Sequence, residues 1–280
     1  MRSDPLHCCH PRYRLLAISA SALYLLATSA LSSGCATSKK STRAVSYSQT
    51  AASNYRKGQA ELKDENFAEA RKYFSFVKNR FPFSRYSTLA ELRLADSLFA
   101  EEKFTAAIDA YKLFVKFHPT HPQVLDGYAE FRVAEGYVKQ IPGDWFLIPP
   151  GHEKDQSATR QALAELVRFS RRHRRSKHAK EAAKLQRKVL RRLIDHELYV
   201  ARFYLDRDKP KATILRLEGI LRRYPNAGAD PEVMMLLGKT YLKLNRREKA
   251  QATFASLVKK YPKDANAAKA KLYLRYLAGR

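Results

Sequence analysis

The chain has 280 residues, of which 45% are hydrophobic and 29% are charged, so it can bury a sizeable core and is too apolar to be wholly disordered. Its 10 glycines and 12 prolines are too few for the closely spaced turns of an all-β sandwich or barrel. The formal net charge of +26 is far from neutral and requires an anionic partner, surface or compartment to explain it.

The N-terminal segment has the layout of an export signal. Three arginines within the first 14 residues precede an uncharged stretch, residues 15–31, that is rich in Leu, Ala and Ser. This layout is typical of a secretory signal, although an apolar stretch of about 17 residues could also stay in place as a transmembrane anchor. The five residues from Leu31 to Cys35, Leu-Ser-Ser-Gly-Cys, resemble the bacterial lipoprotein box. This resemblance implies that residues 1–34 are a cleaved lipoprotein signal peptide and that Cys35 carries a covalent lipid.

The segment after the cleavage site predicts an anchored linker. Cleavage before Cys35 would remove Cys8 and Cys9 and leave a single, acylated cysteine, so we expect no disulfide. Residues 35–49 are rich in Ser, Thr and Ala and predict a lipidated flexible tether. The residue after Cys35 is Ala36 and not Asp. By resemblance to lipoproteins of bacteria with two membranes, this favours sorting to the outer membrane. We expect no cofactor other than the lipid on Cys35.

From Tyr55 onward the chain repeats a pattern of small, aromatic, Ala, aromatic and Pro residues with a period of 37. Within a unit the apolar residues recur at i, i+3, i+4 and i+7, which is typical of an amphipathic helix. The small residue marks a close approach of two helices, and Pro ends the second helix because it cannot continue the hydrogen-bond ladder. The first unit has Gly58, Phe67, Ala70, Phe74 and Pro82; the second has Ala95, Phe104, Ala107, Tyr111 and Pro119; and near the C-terminus Ala201, Leu217 and Pro225 recur as Gly238, Phe254 and Pro262.

This combination resembles the tetratricopeptide repeat, a helix pair. We therefore predict an all-α fold, a superhelical solenoid of about five tetratricopeptide-like helix pairs plus a C-terminal capping helix. Repeats 1–3 occupy residues 50–176, with a loop insertion at 141–154, and repeats 4–5 with the capping helix occupy residues 177–280. The predicted repeats are 50–84, 86–121, 123–176, 177–228 and 231–264, with a long helix at 177–204 and the cap at 269–277.

No catalytic or metal-binding pattern is complete in the sequence. Residues 238–240, Gly-Lys-Thr, look like the end of a phosphate-binding loop, but Val233 stands where that loop requires glycine. His118 and His121 have no third His or carboxylate at metal-ligand spacing. A GxSxG motif is also missing, and Cys35 is assigned to the lipid. We therefore expect a binding protein with no enzymatic activity and no metal site.

The insertion in the third repeat is unusual in composition. It contains the only tryptophan, Trp145, beside Phe146 in a segment rich in Pro and Gly. Such a loop either packs as a lid on neighbouring helices or contacts a partner, and one loop can do both. Both interpretations remain open.

The densest positive charge lies at residues 165–192, which hold twelve Lys or Arg and two Glu. Membrane phosphates or an acidic protein surface would be partners for this charge, and a solvated helix face is the alternative. Nucleic acid is not expected as a partner, because Phe169 is the only aromatic residue of the segment and its register places it in the core.

The first helices of the repeats line the concave face, where proteins of this type bind extended peptides or partner helices. Large apolar side chains on such a face suggest a partner, although packing between helix pairs could absorb part of them. The candidates for substrate binding are Tyr55, Leu62, Leu92, Phe99, Tyr128 and Phe131.

The lipoprotein box, the short tether and five repeats together resemble the BamD family of the β-barrel assembly machinery. The most similar stretches are residues 67–74, Phe-Ala-Glu-Ala-Arg-Lys-Tyr-Phe, residues 80–84, Arg-Phe-Pro-Phe-Ser, and residues 196–204, His-Glu-Leu-Tyr-Val-Ala-Arg-Phe-Tyr. The resemblance implies a lipid-anchored protein on the periplasmic side of the cell outer membrane, which promotes insertion of other proteins into that membrane.

The same resemblance implies the partners. Unfolded outer-membrane proteins would bind the N-terminal repeats, and a BamA-like β-barrel protein, with other assembly-complex subunits, would bind the C-terminal repeats. The residues that would face the BamA-like protein are Arg191, Arg192 and Arg202. The alternative function is an envelope scaffold lipoprotein that organises cell-wall or other periplasmic proteins.

Overall fold

The computed structural model describes residues 46–143 and 154–279, and these residues belong to one compact unit. Within these two ranges the chain forms twelve helices and no strand, which confirms the all-α prediction. Cys35, Trp145 and Phe146 lie outside the described residues, as does the signal peptide. The helices are α1 (Ala51–Lys63), α2 (Phe67–Arg80), α3 (Arg85–Ala100), α4 (Phe104–Phe117), α5 (Pro122–Leu125), α6 (Tyr128–Lys139), α7 (Ser157–Arg172), α8 (Ala179–Asp206), α9 (Pro210–Arg223), α10 (Asp230–Lys243), α11 (Arg247–Lys260) and α12 (Ala265–Ala278).

Ten of these helices form five consecutive pairs, each an inner helix followed by an outer helix. The pairs are α1 with α2, α3 with α4, α6 with α7, α8 with α9 and α10 with α11, and each outer helix also packs on the next inner helix. Inner helices of neighbouring repeats are also in contact: α1 packs on α3, and α6 packs on α8. The predicted solenoid of five pairs is therefore confirmed. The capping helix, α12, begins four residues earlier than the sequence predicts.

The small residues of the repeat pattern lie where two helices meet. A Cβ added at Gly58 would lie 2.8 Å from Cε1 of Phe74, and one added at Gly238 would overlap Cε1 of Phe254 and lie 2.6 Å from its Cζ. Both phenylalanine rings are fully buried. The absence of a side chain at these two positions sets the spacing between the inner and outer helices of repeats 1 and 5.

All five outer helices end with the same backbone conformation. The residue after the helix has φ near −125° and ψ near 54°, as in His118 with φ −126° and ψ 54°. Four of these residues precede Pro, which disfavours the helical conformation for its neighbour. In the third repeat His173 adopts φ −119° and ψ 50° although Arg174 follows it. The missing proline therefore does not alter the backbone conformation at the end of α7.

The first three repeats have two opposite edges. Glu130 near the start of α6 pairs with Arg172 at the end of α7, whereas Gln140 at the end of α6 donates to the hydroxyl of Thr105 at the start of α4. Neighbouring helices are therefore antiparallel. One edge contains the turns that connect successive repeats, and we call it the junction edge (residues 46–50, 78–85, 115–128 and 170–179). The edge where the two helices of one repeat join is the hairpin edge (residues 61–67, 98–104, 138–143 and 154–157).

Helix α8 links the N-terminal and C-terminal repeats. It has 28 residues and is about 42 Å long at a rise of about 1.5 Å per residue. Its first half places Ala182 and Val189 in one hydrophobic cluster with Phe169. Its second half places Leu198 in a different cluster with Leu217 of α9. One continuous helix therefore belongs to two separate cores.

The segment that enters α1 is packed rather than free. The side chain of Asn54 accepts a hydrogen bond from the Ser48 amide and donates to the Ser48 carbonyl, each at 2.7 Å. Tyr47 stacks on Phe76 with ring centroids 4.1 Å apart. The prediction of a flexible tether is therefore wrong for residues 46–49, because Tyr47 and Asn54 attach this segment to the first repeat.

Candidate functional site

A polar network joins the inner helices of the first three repeats and the outer helix α4, and the carboxylate of Asp96 is its centre. Asp96 comes from α3, and only 7% of its surface is exposed. Its Oδ1 accepts hydrogen bonds from the hydroxyls of Tyr111 at 2.5 Å and Tyr128 at 2.8 Å, and its Oδ2 accepts one from Arg93. Three donors therefore satisfy the buried carboxylate, which connects the second repeat to the third.

Two arginines extend this network toward the neighbouring helices. Arg93 also donates to the hydroxyl of Tyr55 on α1 at 3.4 Å. Arg132 of α6 donates to the Tyr111 hydroxyl at 3.4 Å, and its guanidinium lies 3.6 Å from the centre of the Phe99 ring. The arginine side chains keep 29% and 22% of their surface exposed, so their other N–H groups can donate to a bound chain.

The electrostatics of the network fix its protonation. Burial, aided by the charge of Asp96, raises the pKa of Tyr128 to about 12 and raises the pKa of Tyr111 further. Burial alone would lower the pKa of Arg93, but Asp96 and the Tyr55 hydroxyl outweigh it. Burial would likewise lower the pKa of Arg132, but the hydroxyls of Tyr111 and Tyr128 and the carboxylate of Glu135 outweigh it, so both pKa values rise. At neutral pH the tyrosines are therefore donors and both arginines are charged.

At the third repeat the ring of His178 packs beside the aromatic residues Tyr128 and Phe131. The ring of His178 stacks on Phe131 with centroids 4.8 Å apart and lies 5.7 Å from the ring of Tyr128. Burial and the nearby charge of Lys177 lower the pKa of His178. The imidazole is therefore neutral at pH 7, as suits its contact with an apolar ring.

Four of the six predicted substrate-binding residues are buried. Tyr55, Phe99 and Phe131 have 6%, 7% and 6% of their surface exposed, and Leu92 has none. The prediction that these side chains line an open groove is wrong, because each inner helix also packs on the neighbouring repeat. Leu62 and Tyr128 are half-buried and accessible to a ligand. The sequence prediction missed the accessible polar side chains of Arg93 and Arg132.

The predicted partner-binding arginines connect α8 to other elements. Arg202 pairs with Glu232 of α10 at 2.6 Å, and Arg191 lies 3.6 Å from the same carboxylate. Arg192 donates to the carbonyl of Pro142 at 2.7 Å. Arg191 and Arg202 remain about half exposed, so a partner can reach both, although it must compete with Glu232. Their role in partner binding stays a prediction.

The basic segment 165–192 forms a continuous surface. Lys180, Lys184, Arg187 and Arg191 recur at helical spacing on the exposed side of α8, opposite its buried residues. Phe169, whose register predicted a core position, is 3% exposed and belongs to the third-repeat cluster. The charges therefore lie on the protein surface without interleaved aromatic residues.

Across residues 46–143 and 154–279 no group of three or more His, Cys, Asp or Glu side chains could hold a metal ion. None of the helices in these ranges has the length and apolar content that crossing a bilayer requires.

Comparisons with known proteins agree with this architecture. The model of the YfiO family, described as "Outer membrane lipoprotein", matches residues 47–253. Outer membrane protein assembly factor BamD of Neisseria gonorrhoeae is 27% identical over 215 residues, which cover 75% of this chain and 78% of that protein. The BamD of Pasteurella multocida is 26% identical over 206 residues, which cover 72% and 77% of the two chains.

Among solved structures, a complex of the TPR2AB domain of yeast Sti1 with a pHSP90 chain matches with a TM-score of 0.42 and 12% identity, covering 82% of this chain and 86% of that one. The family match extends over all five repeats up to Thr253 in α11. It covers well over half of the sequence and every helix that carries the inner-face network. The chain therefore belongs to the YfiO family of outer membrane lipoproteins.

Proposed function

We propose that this protein is a lipid-anchored, non-enzymatic component of the β-barrel assembly machinery on the periplasmic side of the outer membrane. In this role it binds unfolded outer-membrane proteins and a BamA-like partner and promotes insertion of those substrates. The observation that carries the proposal is the family match over residues 47–253, together with relatives named outer membrane protein assembly factor BamD.

The inner face of repeats 1–3 is the proposed substrate site. An unfolded β-strand offers backbone carbonyls along its edges and apolar side chains on one face. Arg93 and Arg132 supply charged N–H donors one repeat apart, and the half-buried Leu62 and Tyr128 supply accessible apolar surface on the same repeats. This arrangement can hold an extended chain without any bond-making step.

Peptide binding tests this assignment. Substitution of Arg93→Gln together with Arg132→Gln should weaken the binding of a peptide from the C-terminal strand of an outer-membrane protein by about 10-fold or more, since two charge-assisted hydrogen bonds are lost. Arg168→Gln, an exposed change on the outer helix α7, is the matched control and should leave affinity unchanged. Equal affinity of the double variant and the wild type, with helicity retained, would contradict the site.

The C-terminal repeats are the proposed surface for the BamA-like partner. Arg202 lies beside Phe203, which is 40% exposed, and Leu215 of α9 is 71% exposed, so apolar surface accompanies the charge. The double variant Arg191→Glu and Arg202→Glu should reduce recovery of a large β-barrel protein in affinity purification from solubilised envelopes. Recovery of cell-wall synthases in place of a β-barrel protein would support an envelope scaffold and would contradict the proposed function.

The proposed anchor is tested separately. Mass spectrometry of the protein isolated from membranes should find Cys35 as the acylated N-terminal residue. An unacylated protein with an intact N-terminus would refute the lipoprotein assignment.

A further inference from the structure

The two edges of the first three repeats differ in charge. The junction edge contains nine Lys or Arg and a single acidic residue, Asp126. The described residues of the hairpin edge contain six acidic and four basic residues. Positive charge is therefore concentrated on one edge of the solenoid and is not a uniform property of this basic chain.

The junction edge also exposes the larger apolar side chains. Phe83 is fully exposed, and Phe117 and Leu125 are 66% and 67% exposed. Phe83 follows α2, Phe117 ends α4 and Leu125 ends the short helix α5, so all three lie in the connections between repeats. The described hairpin edge has no large hydrophobic residue that is exposed to this degree.

Basic side chains with interspersed Phe and Leu are the composition of surfaces that lie at a membrane interface. The bases contact lipid phosphates, and the apolar side chains enter the boundary of the acyl chains. A surface that binds an acidic protein would instead have a compact apolar centre with the charges at its rim. On the junction edge the exposed apolar side chains are separated, with Phe83 in the first turn between repeats and Phe117 and Leu125 in the second. Basic side chains lie near them, and the third turn, residues 170–179, exposes bases without a large hydrophobic side chain.

The entry of the chain supports the same orientation. Helix α1 begins at the junction edge, and the packing of Tyr47 on Phe76 fixes residues 46–50 there. The proposed lipid on Cys35 is eleven residues before Ser46. Eleven fully extended residues span at most about 40 Å. An anchor at that position limits the distance between residues 46–50 and the bilayer to about 40 Å.

We propose that the junction edge of repeats 1–3 docks on anionic lipid headgroups of the membrane surface. The bases that carry the most accessible charge are Arg171, Arg174 and Arg175, which are exposed and form no ion pair among the described residues. This inference deepens the proposed function, because it defines which edge of the anchored protein meets the membrane and leaves the inner face open to substrates.

The test uses a chain that begins at Ala36 and so carries no lipid. All the described hydrophobic clusters lie between Ala51 and Ala270, with partly buried neighbours up to Leu277, so this chain retains every core. Flotation with vesicles of phosphatidylcholine and phosphatidylglycerol should show binding that declines with added salt. Pure phosphatidylcholine vesicles should bind much less.

The decisive variant is Arg171→Glu with Arg174→Glu and Arg175→Glu. Each near-surface base contributes roughly five-fold, so the triple variant should bind anionic vesicles on the order of 100-fold more weakly. The matched control, Lys63→Glu with Lys139→Glu and Lys209→Glu, makes the same charge change at exposed turns within repeats and should bind like the wild type. Phe83→Ala with Phe117→Ala should weaken the binding that persists in high salt.

Equal losses in the triple variant and its control would show a net-charge effect and would overturn the proposal. So would absence of binding by the wild type, or binding to polyglutamate with none to anionic vesicles, which would assign the edge to an acidic protein. The assay needs neither the lipid on Cys35 nor a BamA-like partner. Its failure would therefore leave the assembly function standing, and failure of the envelope purification would leave this result standing.

Discussion

Replacement of Gly238 by alanine tests the packing on which the repeat pattern depends. The new Cβ would lie 2.6 Å from Cζ and 2.9 Å from Cδ1 of Phe254, where ordinary contacts are 3.4–4 Å. The Phe254 ring must shift by about 1 Å, yet it is fully buried and stacks on Tyr273 with centroids 5.0 Å apart. Overpacking of this kind costs about 1–3 kcal/mol, and the better helix propensity of alanine returns about 1 kcal/mol.

The expected net loss is therefore up to about 2 kcal/mol, or a Tm lower by up to about 8 °C at about 2–4 °C per kcal/mol. Gly219→Ala in α9 is the matched control, because its Cβ meets only the flexible end of Arg223 at 3.4 Å. That variant should gain about 0.5–1 kcal/mol. Thermal unfolding followed by circular dichroism compares the two variants. If Gly238→Ala is as stable as Gly219→Ala, the close approach of two helices does not explain why small residues recur at this position of the repeat.

Two further substitutions test the inner-face network. Asp96→Asn removes the charge that pairs with Arg93 and weakens two hydrogen bonds from tyrosine hydroxyls, so the free energy of unfolding measured with urea should fall by about 1–3 kcal/mol. The exposed control Asp206→Asn should change it by no more than about 0.5 kcal/mol. Similar losses in both variants would refute a stabilising role of the network. Burial lowers the pKa of His178, so the unfolded chain binds a proton more readily and stability falls as the pH drops through about 6.5. His178→Gln should therefore lose less stability than the wild type between about pH 7.5 and 5.5, and parallel pH profiles would contradict this.

The fold was predictable because its signal is local and repeated. Gly58 and Phe74 recur as Ala95 and Tyr111, and each such pair sits at the predicted contact between inner and outer helices. Helix boundaries followed from aromatic-Pro pairs, which end each outer helix except α7. The long helix α8 was also predictable, since no Gly or Pro interrupts it.

The site was harder to predict because its residues come from several helices. Leu92 and Phe99 were assigned to a groove by helical register alone, which identifies a face of a helix but not the neighbour that covers it. The structure shows that the adjacent repeat covers that face. Asp96 offered one signal, a carboxylate next to Ala95 in an apolar stripe, but its tyrosine partners lie 15 and 32 residues away along the chain.

The continuous helix α8 has a mechanical consequence for the two binding surfaces proposed above. Its two halves complete different cores, so neither can open without straining the other. The helix therefore holds the inner face of repeats 1–3, proposed to bind substrates, at a fixed separation from the C-terminal repeats, proposed to bind the partner.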